Sequence, residues 1–573
     1  MCGIFGYSVG QAGYPGAEVL GRMAVMQSHR GPDGQGFVQA GNSGVGMLRL
    51  RMRADADEAE PVDMGKGIFA AYNGEIYRDR NGNVPTGGYG EVRVLLDTAA
   101  GDAVDGMYAA ALFDASSGAL TLTRDAFGIK PLYVMRAGHE ALFASEVGAI
   151  LPLLPYAAIR PSAIHQFLAV GRPLDSGWFV NGITTMRPGS SLRLAGGDCQ
   201  DEAPLWTPER LLDGRNRTSP SPAVLRSAIG SAVERALLSH YPVGVAVSGG
   251  LDSSIVCAEI AVRGVEDVTL ISIRAEGSDD GLSDIEYLGL PGESWRKWSL
   301  VERLIGPHDY FDAARRAVAV MGTPTRMSSS ALYVALADAA ADNGVQTLLV
   351  GEGADELFCG YDSHRAFHAG GSLADHILRP QLRRLLGDLL EAEHLVELDD
   401  AIADYAASLP GKSDWDRLRM SDFRLILEPL LMRTDHALMS RTVEGRTPFL
   451  HGDVPALAFR YSEAEHLAGG QTKHTLRQAY SGLVSPAVLT GRKTHFRAPI
   501  AAWFAGPLFG RIAAELAGSA AFLSQCGIDP NRTASLLDRT KEGCSDAADL
   551  IFRLLNLVWW AEWLHTRCPV RLG

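Results

Sequence analysis

The stretch Ser248-Gly249-Gly250-Leu251-Asp252-Ser253-Ser254 decides the fold, because it joins a short apolar run, Val243 to Val247, to a helical pattern that begins at Ile255. Two glycines let the backbone approach an anion closely, and serine hydroxyls and N–H groups at a helix N-terminus donate hydrogen bonds to it. The alternative is a glycine turn whose serines merely cap a helix. The pattern predicts a phosphate-binding loop with a spacing unlike that of the lysine-containing P-loop.

A second acidic loop, Gly351 to Glu356, follows another apolar run, Val345 to Val350. In a doubly wound parallel sheet the loops at the carboxyl ends of the strands converge on one crevice. Asp252 and Asp355 are therefore expected to face the same Mg²⁺ and pyrophosphate, since Mg²⁺ takes carboxylates together with phosphate oxygens. A solvated helix start is the alternative for this loop alone. The two loops together predict an enzyme that cleaves ATP between its α and β phosphates.

The N-terminus, Met1-Cys2-Gly3-Ile4-Phe5-Gly6, predicts a nucleophile. Removal of the methionine leaves a cysteine that carries both a thiol and a free α-amine. The amine titrates near ~7.7 to 8.0 and the thiol near ~8.5, so the amine can accept the thiol proton close to neutral pH. Such a thiolate is suited to attack on an amide carbonyl. The alternative is an apolar cysteine that begins an edge strand.

Further motifs follow this cysteine in order: His29-Arg30-Gly31-Pro32-Asp33-Gly34, Arg49-Leu50, Asn73-Gly74-Glu75-Ile76-Tyr77, Arg124 to Tyr133 and Ala144-Ser145-Glu146. In order and spacing they resemble the glutaminase domain of class II glutamine amidotransferases. The two ATP loops, with Gly445 to Leu450, Lys473 to Arg477 and Arg492 to Trp503, add a synthetase part. Nearly the whole chain therefore resembles the glutamine-hydrolysing asparagine synthetase family.

For the N-terminal part, the resemblance implies a role for each matching residue. Cys2 would attack the side-chain amide of glutamine, and Asn73 with Gly74 would form the oxyanion hole. Arg49 would clamp the α-carboxylate of glutamine with its planar donor fork. Glu75 would also lie in the glutamine pocket.

The donor pocket departs from the family at one position. Relatives carry an aspartate for the α-ammonium of glutamine, whereas this chain has Tyr89 in the corresponding run, Gly88 to Val92. A neutral phenol cannot make the charge-assisted hydrogen bond, which contributes about 1.5 to 3 kcal/mol, or one to two decades of affinity. Unless Glu91 or Glu75 substitutes, we expect a weakened glutaminase or a donor other than plain glutamine.

For the C-terminal part, the resemblance implies that ATP and pyrophosphate contact Val247, Ser248, Gly249, Gly250, Asp252, Ser253, Ile273, Val350, Gly351 and Lys473. Asp252 and Asp355 would bind Mg²⁺, and Lys473 would neutralise charge as pyrophosphate leaves. Glu352 would act in the formation and capture of an acyl-adenylate. The alternative for Lys473 is an ordinary surface lysine.

Two departures concern the acid that receives the nitrogen. His451-Gly452 intervene between Pro448-Phe449-Leu450 and Asp453, where the family has an aspartate directly after the leucine. Residues 274–300 lack the expected amphipathic helix. Together with Met327-Ser328-Ser329-Ser330, these changes predict that the small carboxylic acid is not aspartate, and a specialised metabolite is one candidate.

The expected fold is a multidomain combination of α/β and α+β parts. Short β-like runs alternate with turns over residues 1–155, and they predict an Ntn-type antiparallel β-sheet sandwich flanked by helices. Residues 156–209 would form an inter-domain connector. Residues 210–573 would form an asparagine synthetase-like ATP-pyrophosphatase domain, in which a doubly wound parallel sheet precedes a helical subdomain from about residue 365.

Composition narrows the range of partners. Of the 573 residues 46% are apolar, and the net charge of -14 without a basic stripe argues against nucleic acid and anionic membranes. Seven scattered cysteines without paired metal-ligand spacing predict reduced thiols in the cytoplasm. No apolar run reaches ~18 residues, the length of a membrane-spanning helix. A homodimer is compatible with all of these features.

The predicted function is therefore an ATP- and glutamine-dependent amidotransferase that activates an acid as acyl-AMP, and three rivals stay open. A cyclising ligase similar to β-lactam synthetases or lasso-peptide cyclases would use an internal amine, but such relatives often lack the N-terminal cysteine. A ligase for free ammonia or another amine would keep the glutaminase half as a scaffold, and Tyr89 favours it. A non-catalytic protein is disfavoured by the joint presence of Asp252, Glu352, Asp355 and Lys473.

Overall fold

The computed structural model describes residues 2–11, 13–52, 60–79, 85, 90–99, 104–200, 202–214, 218–278, 284–491 and 498–572. Tyr89, the side chain of Glu91 and the pair Arg492-Lys493 lie outside the described residues. The expectations that involve them, including the shortened segment before Gly88, therefore stay predictions.

The N-terminal part contains fourteen strands in its described residues: β1 (Cys2–Val9), β2 (Gly34–Ala40), β3 (Ser43–Arg49), β4 (Val62–Asp63), β5 (Ile68–Arg78), β6 (Asp105–Asp114), β7 (Ala119–Arg124), β8 (Tyr133–Ala137), β9 (Glu140–Ala144), β10 (Ala157–Ile159), β11 (Ile183–Thr185), β12 (Ser190–Ala195), β13 (Asp198–Cys199) and β14 (Ala203–Pro204). Its helices are α1 (Gly16–Met26), α2 (Gly90–Ala99) and α3 (Pro161–Val170).

These strands form two antiparallel sheets, with the orders β11-β8-β9-β1-β3-β2 and β13-β12-β7-β6-β5-β4. Buried apolar side chains of β1 and β3, such as Ile4 and Met47, pack with those of β6 and β7, such as Phe113 and Leu122. Along each strand, alternate residues point into this shared layer, so one face of each sheet is buried there. The predicted antiparallel sandwich is confirmed.

The expected connector does more than join two domains. Its strand β11 pairs with β8 in the first sheet, and its strand β12 pairs with β7 in the second. Residues 156–209 therefore complete both sheets of the sandwich. The domain boundaries at residues 155 and 209 stay predictions.

A parallel sheet follows, made of β15 (Val243–Ala246), β16 (Val268–Ala275), β17 (Ser299–Ile305), β18 (Thr347–Leu349) and β19 (Glu444–Arg446). The helices that surround it are α4 (Pro222–Ala236), α5 (Leu251–Val262), α6 (Pro307–Met321), α7 (Ser329–Asp342) and α8 (Ala354–Phe358). The strand order is β17-β16-β15-β18-β19, and every pair is parallel. The order reverses between β15 and β18, so the ligand crevice of this doubly wound sheet lies beyond their carboxyl ends.

The segment between β16 and β17 contains little helix. Its described residues 284–298 form two single 3₁₀ turns, Ile285–Leu288 and Ser294–Lys297. The expected absence of an amphipathic helix is therefore confirmed for this part of the segment.

The rest of the chain is largely helical. Its helices are α9 (Asp362–His368), α10 (Leu373–Ile377), α11 (Pro380–Leu389), α12 (Ala392–Ser408), α13 (Asp414–Asp422), α14 (Glu428–Met439), α15 (Val454–Ala458), α16 (Glu463–His466), α17 (His474–Ala479), α18 (Pro486–Thr490), α19 (Ile500–Ala505), α20 (Phe509–Gly518), α21 (Ala520–Gln525), α22 (Pro530–Lys541) and α23 (Ser545–His565). The last strand, β20 (Val570–Leu572), pairs in parallel with β10 and so ties the C-terminus to the N-terminal part. Across the described ranges, no helix combines the length and the hydropathy needed to span a membrane.

Candidate active sites

The first candidate site is built around Cys2, which begins β1 and lies opposite Arg49 of β3 in register. Cys2 is buried, and its backbone nitrogen donates a hydrogen bond to Asn73 Oδ1 at 3.1 Å. Burial raises the pKa of the Cys2 thiol, while the positive charge of the N-terminus and, to a smaller extent, Arg49 act in the opposite direction. The structure thus brings Cys2, Arg49 and Asn73 together.

Asn73 and Gly74 follow each other in β5, and their geometry is unusual. Asn73 Nδ2 is buried and has no hydrogen-bond partner among the described residues. A buried donor of this kind costs about 1 to 3 kcal/mol, so its persistence calls for a ligand that completes it. Gly74 has φ 136, and a Cβ there would lie 1.8 Å from Met107 O, so only glycine fits.

Glu75, expected in the glutamine pocket, is engaged by the synthetase part of the chain. Its Oε1 lies 3.5 Å from Nη2 of Arg446, and Arg446 also donates from Nε to Glu444 Oε1 at 2.5 Å. Burial opposes the charge on Arg446, but Glu444 outweighs it and raises the pKa of the guanidinium. Glu75 is thus part of an ionic contact between the two parts of the protein.

The second candidate site is a cavity of about 890 Å³ at the switch point of the parallel sheet. Both predicted loops line it, through Val247, Ser248, Asp252 and Ser253 after β15 and through Val350, Gly351, Glu352 and Asp355 after β18. The loops approach closely, since a Cβ on Gly351 would lie 2.8 Å from Cβ of Asp252. The predicted convergence of the two acidic loops is confirmed.

The other residues expected around the nucleotide lie close behind this lining. Gly249 has φ 72 in the turn, and Gly250 directly precedes α5, so the loop ends at a helix N-terminus. Ile273 is buried in β16, next to β15. Four of the expected residues are not among those that line the cavity: Gly249, Gly250, Ile273 and Lys473.

Lys473 is buried between the two carboxylates that were expected to bind Mg²⁺. Its Nζ lies 2.6 Å from Asp252 Oδ1 and 2.7 Å from Asp355 Oδ1. Burial disfavours the ammonium, but Asp252 and then Asp355 prevail and raise the pKa of Lys473. The two carboxylates thus converge on one cation, and an oxygen donor set of this kind also fits Mg²⁺. The alternative of a surface lysine is wrong.

Glu352 is held at the cavity wall by three side chains. Tyr333 of α7 donates to its Oε1 at 2.6 Å, and Thr434 of α14 donates to its Oε2 at 2.8 Å. Arg433 forms an ion pair with Glu352 and stacks over the Tyr333 ring, 3.7 Å from its centroid. Sequence reasoning missed all three partners. The only signal for them is that each is a polar residue on an otherwise buried helix face.

The remaining cavity wall is strongly charged. It includes Met327, Ser328 and Ser329, which sequence reasoning had singled out, and Asp375, His376, Arg379, Asp546, Asp549 and Arg553, which it had not. His376 Nε2 lies 2.7 Å from Asp422 Oδ1, and His364 Nε2 lies 2.6 Å from Oδ2 of the same carboxylate. Burial opposes the charge of Asp422, but these two imidazoles hold its pKa well below the ordinary range.

One helix connects the surroundings of both sites. Arg30 is fully buried and donates to Cys2 O at 3.3 Å, Glu146 at 3.0 Å and Asp435 of α14 at 2.7 Å. Lys130 Nζ lies 3.4 Å from the other oxygen of Asp435. Residues 433 and 434 of the same helix hold Glu352, so three consecutive residues of α14 reach toward both sites.

His451, which interrupts a family motif, contacts the antiparallel sandwich. Its Nδ1 lies 3.4 Å from Asp105 Oδ1 of β6. Its ring packs edge-on against the Tyr77 ring, with 4.7 Å between the ring centroids. Gly452 N also donates to Asp105 Oδ1, at 3.0 Å. His451 does not line the cavity, and its effect on the acid pocket stays a prediction. The chain after the 3₁₀ turn Pro448–Leu450 packs against the sandwich instead.

Comparisons with known proteins find a family match for each of the two parts of the chain. Residues 224–565 match the family model for asparagine synthase, and residues 1–83 and 91–206 match the model for a glutamine amidotransferase domain. The asparagine synthetase [glutamine-hydrolyzing] 1 of Bacillus subtilis is 24% identical over 85% of this chain and 84% of its own length. A putative asparagine synthetase [glutamine-hydrolyzing] of Mycobacterium tuberculosis is 25% identical over 98% of this chain and 97% of its own length. Asparagine synthetase B [glutamine-hydrolyzing] of Escherichia coli is 27% identical over 87% of this chain and 82% of its own length.

Proposed function

The chain belongs to the asparagine synthase family, and on that premise we propose that it couples glutamine hydrolysis to ATP-driven amidation of a carboxylic acid. It is a carbon–nitrogen ligase that uses glutamine, as its relatives are. One observation carries the proposal: a buried Cys2 beside an oxyanion donor, Asn73, shares a chain with a cavity where Asp252, Glu352 and Asp355 meet.

In the first half-reaction, Cys2 attacks the side-chain amide of glutamine. Removal of Met1 turns the Cys2 nitrogen into an α-amine, which takes the thiol proton and is oriented by Asn73 Oδ1. The developing oxyanion accepts hydrogen bonds from Asn73 Nδ2 and from the backbone at Gly74, and each such donor typically contributes about 3 to 4 kcal/mol. Ammonia leaves, and water then hydrolyses the thioester to glutamate.

In the second half-reaction, ATP binds across the loops after β15 and β18. Gly250 caps the N-terminus of α5, and N–H groups of this turn and of the helix N-terminus would donate hydrogen bonds to the phosphates. Asp252 and Asp355 would hold Mg²⁺, which when bound neutralises charge on the phosphates. The carboxylate of the acid attacks the α-phosphorus, pyrophosphate leaves with the help of Lys473, and an acyl-adenylate remains.

Glu352 acts at the capture step. Tyr333 and Thr434 fix both of its oxygens, so the carboxylate has one orientation at the cavity wall. As ammonia attacks the acyl carbon, its nitrogen must lose a proton, and Glu352 is the group that accepts it. AMP leaves and the amide forms, a step that an unactivated carboxylate would not support.

The acceptor is a small carboxylic acid that carries further polar groups. Two features support this: Met327, Ser328 and Ser329 line the cavity, and the helical region adds several charged residues to its wall. A charged wall of mixed sign suits an acid that carries further polar groups. A screen of acids, rather than the volume of the cavity, identifies the acceptor.

Pyrophosphate release, screened over a panel of acids with ATP and Mg²⁺, tests the proposal. We expect release with one group of acids, supported by glutamine and by ammonium alike. Release with ammonium or another amine alone would favour the second candidate, an amine-dependent ligase with a vestigial glutaminase half, which Tyr89 supports. Release without any added amine would indicate a cyclising ligase, and no release with any acid would contradict the proposal.

A further inference from the structure

We propose that Glu60 binds the α-ammonium group of the nitrogen donor and so restricts the donor to free α-amino acid amides. The inference rests on the proposed glutaminase function. By the resemblance in sequence, Tyr89 stands where the family carries the carboxylate for this charge. Glu60 is a carboxylate that sequence reasoning overlooked, and the fold brings it beside Arg49.

The strand register puts Glu60 on the same face as the nucleophile. Cys2 lies opposite Arg49, and Arg49 lies opposite Gly34 of β2, so these three positions form a row across the sheet. Side chains of opposed residues point to the same face. Both carboxylate oxygens of Glu60 lie 2.8 Å from the point that a Cβ on Gly34 would occupy. The missing side chain of Gly34 therefore gives Glu60 its place in the row.

The charges of the row match the head group of a free amino acid. Glu60 Oε1 lies 3.6 Å from Arg49 Nη1, and the two side chains are only 11% and 8% exposed. Within the described ranges, Glu60 Oε1 is buried without a hydrogen-bond partner, so it can still accept one. A free amino acid offers a carboxylate to Arg49 and an ammonium to Glu60, whereas a glutamine within a peptide offers neither charge.

Glu75, another carboxylate considered for this role, is less suited to it. Glu75 lies 3.5 Å from Arg446 of the synthetase part, in an ionic contact that already includes Glu444. The side chain of Glu91 lies outside the described residues and does not enter this comparison. Of the two described carboxylates, Glu60 is therefore the better suited.

The test compares two donors in the full-length protein and its Glu60→Gln variant. L-glutamine carries the α-ammonium, and the monoamide of glutaric acid has the same amide and carboxylate without it. For the variant we expect the KM for L-glutamine in ammonia release to rise about 10- to 100-fold, with kcat within a few-fold. The KM for the monoamide should stay unchanged, because that donor never contacts Glu60 through an ammonium. Glu18→Gln, which removes an exposed charge from α1, is the matched control.

Several outcomes would overturn the assignment. An equal rise for both donors would mean that Glu60 only supports Arg49, and a fall for both would mean that it competes with the donor carboxylate. An unchanged KM for L-glutamine would also exclude the role. If the wild-type protein releases no ammonia from L-glutamine, the proposed glutaminase function itself fails, and the role of Glu60 fails with it.

Folding of the variant is checked separately. Ammonium-dependent pyrophosphate release by Glu60→Gln should equal that of the wild-type protein, since this reaction does not need the donor pocket. If Glu60→Gln does not fold, Glu60→Asp replaces it, because it keeps the charge one methylene further back. Its KM should then rise for L-glutamine alone, and a rise for both donors would again exclude the role.

Discussion

The two sites differ in whether their buried polar groups have hydrogen-bond or ion-pair partners. At Cys2, the Asn73 Nδ2 donor is left without a partner among the described residues, whereas at the parallel sheet Lys473 is bonded to Asp252 and Asp355. The first arrangement suits a charge that appears only during reaction, since the donor waits for the oxyanion. The second suits ligands that carry charge before they bind, as Mg²⁺ and phosphates would. Unpaired and fully paired polar groups can therefore both indicate active sites.

The largest expected effect separates the two halves completely. Cys2→Ala removes the nucleophile, so ammonia release from glutamine should fall at least about 1,000-fold. Ammonium-dependent pyrophosphate release should stay within two-fold of wild type, because the second cavity has its own residues. Both rates are measured on the same preparation. Loss of the ammonium-dependent reaction would show that the halves do not work independently.

Asn73→Ala tests the unpaired donor. Loss of one oxyanion donor should lower kcat for ammonia release by about 100- to 1,000-fold with little change in KM, since the oxyanion exists only in the transition state. Steady-state kinetics with glutamine measure the effect. A change in KM alone would mean that Asn73 binds the ground state, and the contrast between the two sites would weaken.

Asp355→Asn tests the paired site. Removal of one carboxylate should lower pyrophosphate release by about 100-fold and raise the Mg²⁺ concentration needed for half-maximal rate. Glutamine hydrolysis should be unaffected, which makes it the internal control. An unchanged Mg²⁺ requirement would exclude Asp355 as a ligand.

Asp435→Asn tests the contact between the sites. The variant keeps a polar side chain but loses the charge that Arg30 and Lys130 share. We expect several-fold more glutamine hydrolysed per pyrophosphate released, together with a loss of about 1 to 3 kcal/mol in the free energy of unfolding. Glutamate and pyrophosphate are quantified in one reaction. An unchanged ratio would mean that α14 supports both sites without coupling them.

The smallest effect concerns the acid stability of the ion pair between Glu444 and Arg446. Burial disfavours the charge on Glu444, but Arg446 prevails and lowers the pKa of the carboxyl to about 2. A lowered pKa stabilises the fold above the unfolded value near ~4.3, and the gain is lost as the pH falls toward 2. Glu444 should therefore contribute about 2 kcal/mol less at pH 3 than at pH 7.

Denaturant unfolding of the wild-type and Glu444→Gln proteins at both pH values checks this. The variant should show the shallower pH dependence, because glutamine does not titrate. Equal pH dependence in the two proteins would assign the acid sensitivity to other buried carboxylates, such as Asp105 or Asp435, whose pKa values are also lowered.

Local motifs predicted the loops well, and long-range packing limited the rest. The glycine loops at Gly249 and Gly351 could be placed because each follows a strand, and the topology of parallel sheets makes such loops converge. Arg433 and Thr434 could not be linked to Glu352, since some 80 residues separate them and α14 has no motif of its own. Their contact depends on how α7 and α14 pack.

His451 illustrates the same effect of long-range packing. Its position beside a family motif suggested the acid pocket, but the partner that fixes it, Asp105, belongs to the sandwich. Residues that are adjacent in sequence to a site residue lie at the site only where the chain continues along the cavity wall. Glu60 was overlooked for a similar reason, because only the register of β2 and β3 brings Gly34, and thus Glu60, beside Arg49.

The central claim is that an acid becomes an acyl-adenylate before ammonia from glutamine attacks it. The most direct measurement uses an acceptor acid labelled with ¹⁸O in its carboxylate, with ATP, Mg²⁺ and glutamine, and mass spectrometry of the nucleotide product. The account predicts one ¹⁸O atom in AMP for each amide formed. Unlabelled AMP, or ADP with ¹⁸O in inorganic phosphate, would contradict it.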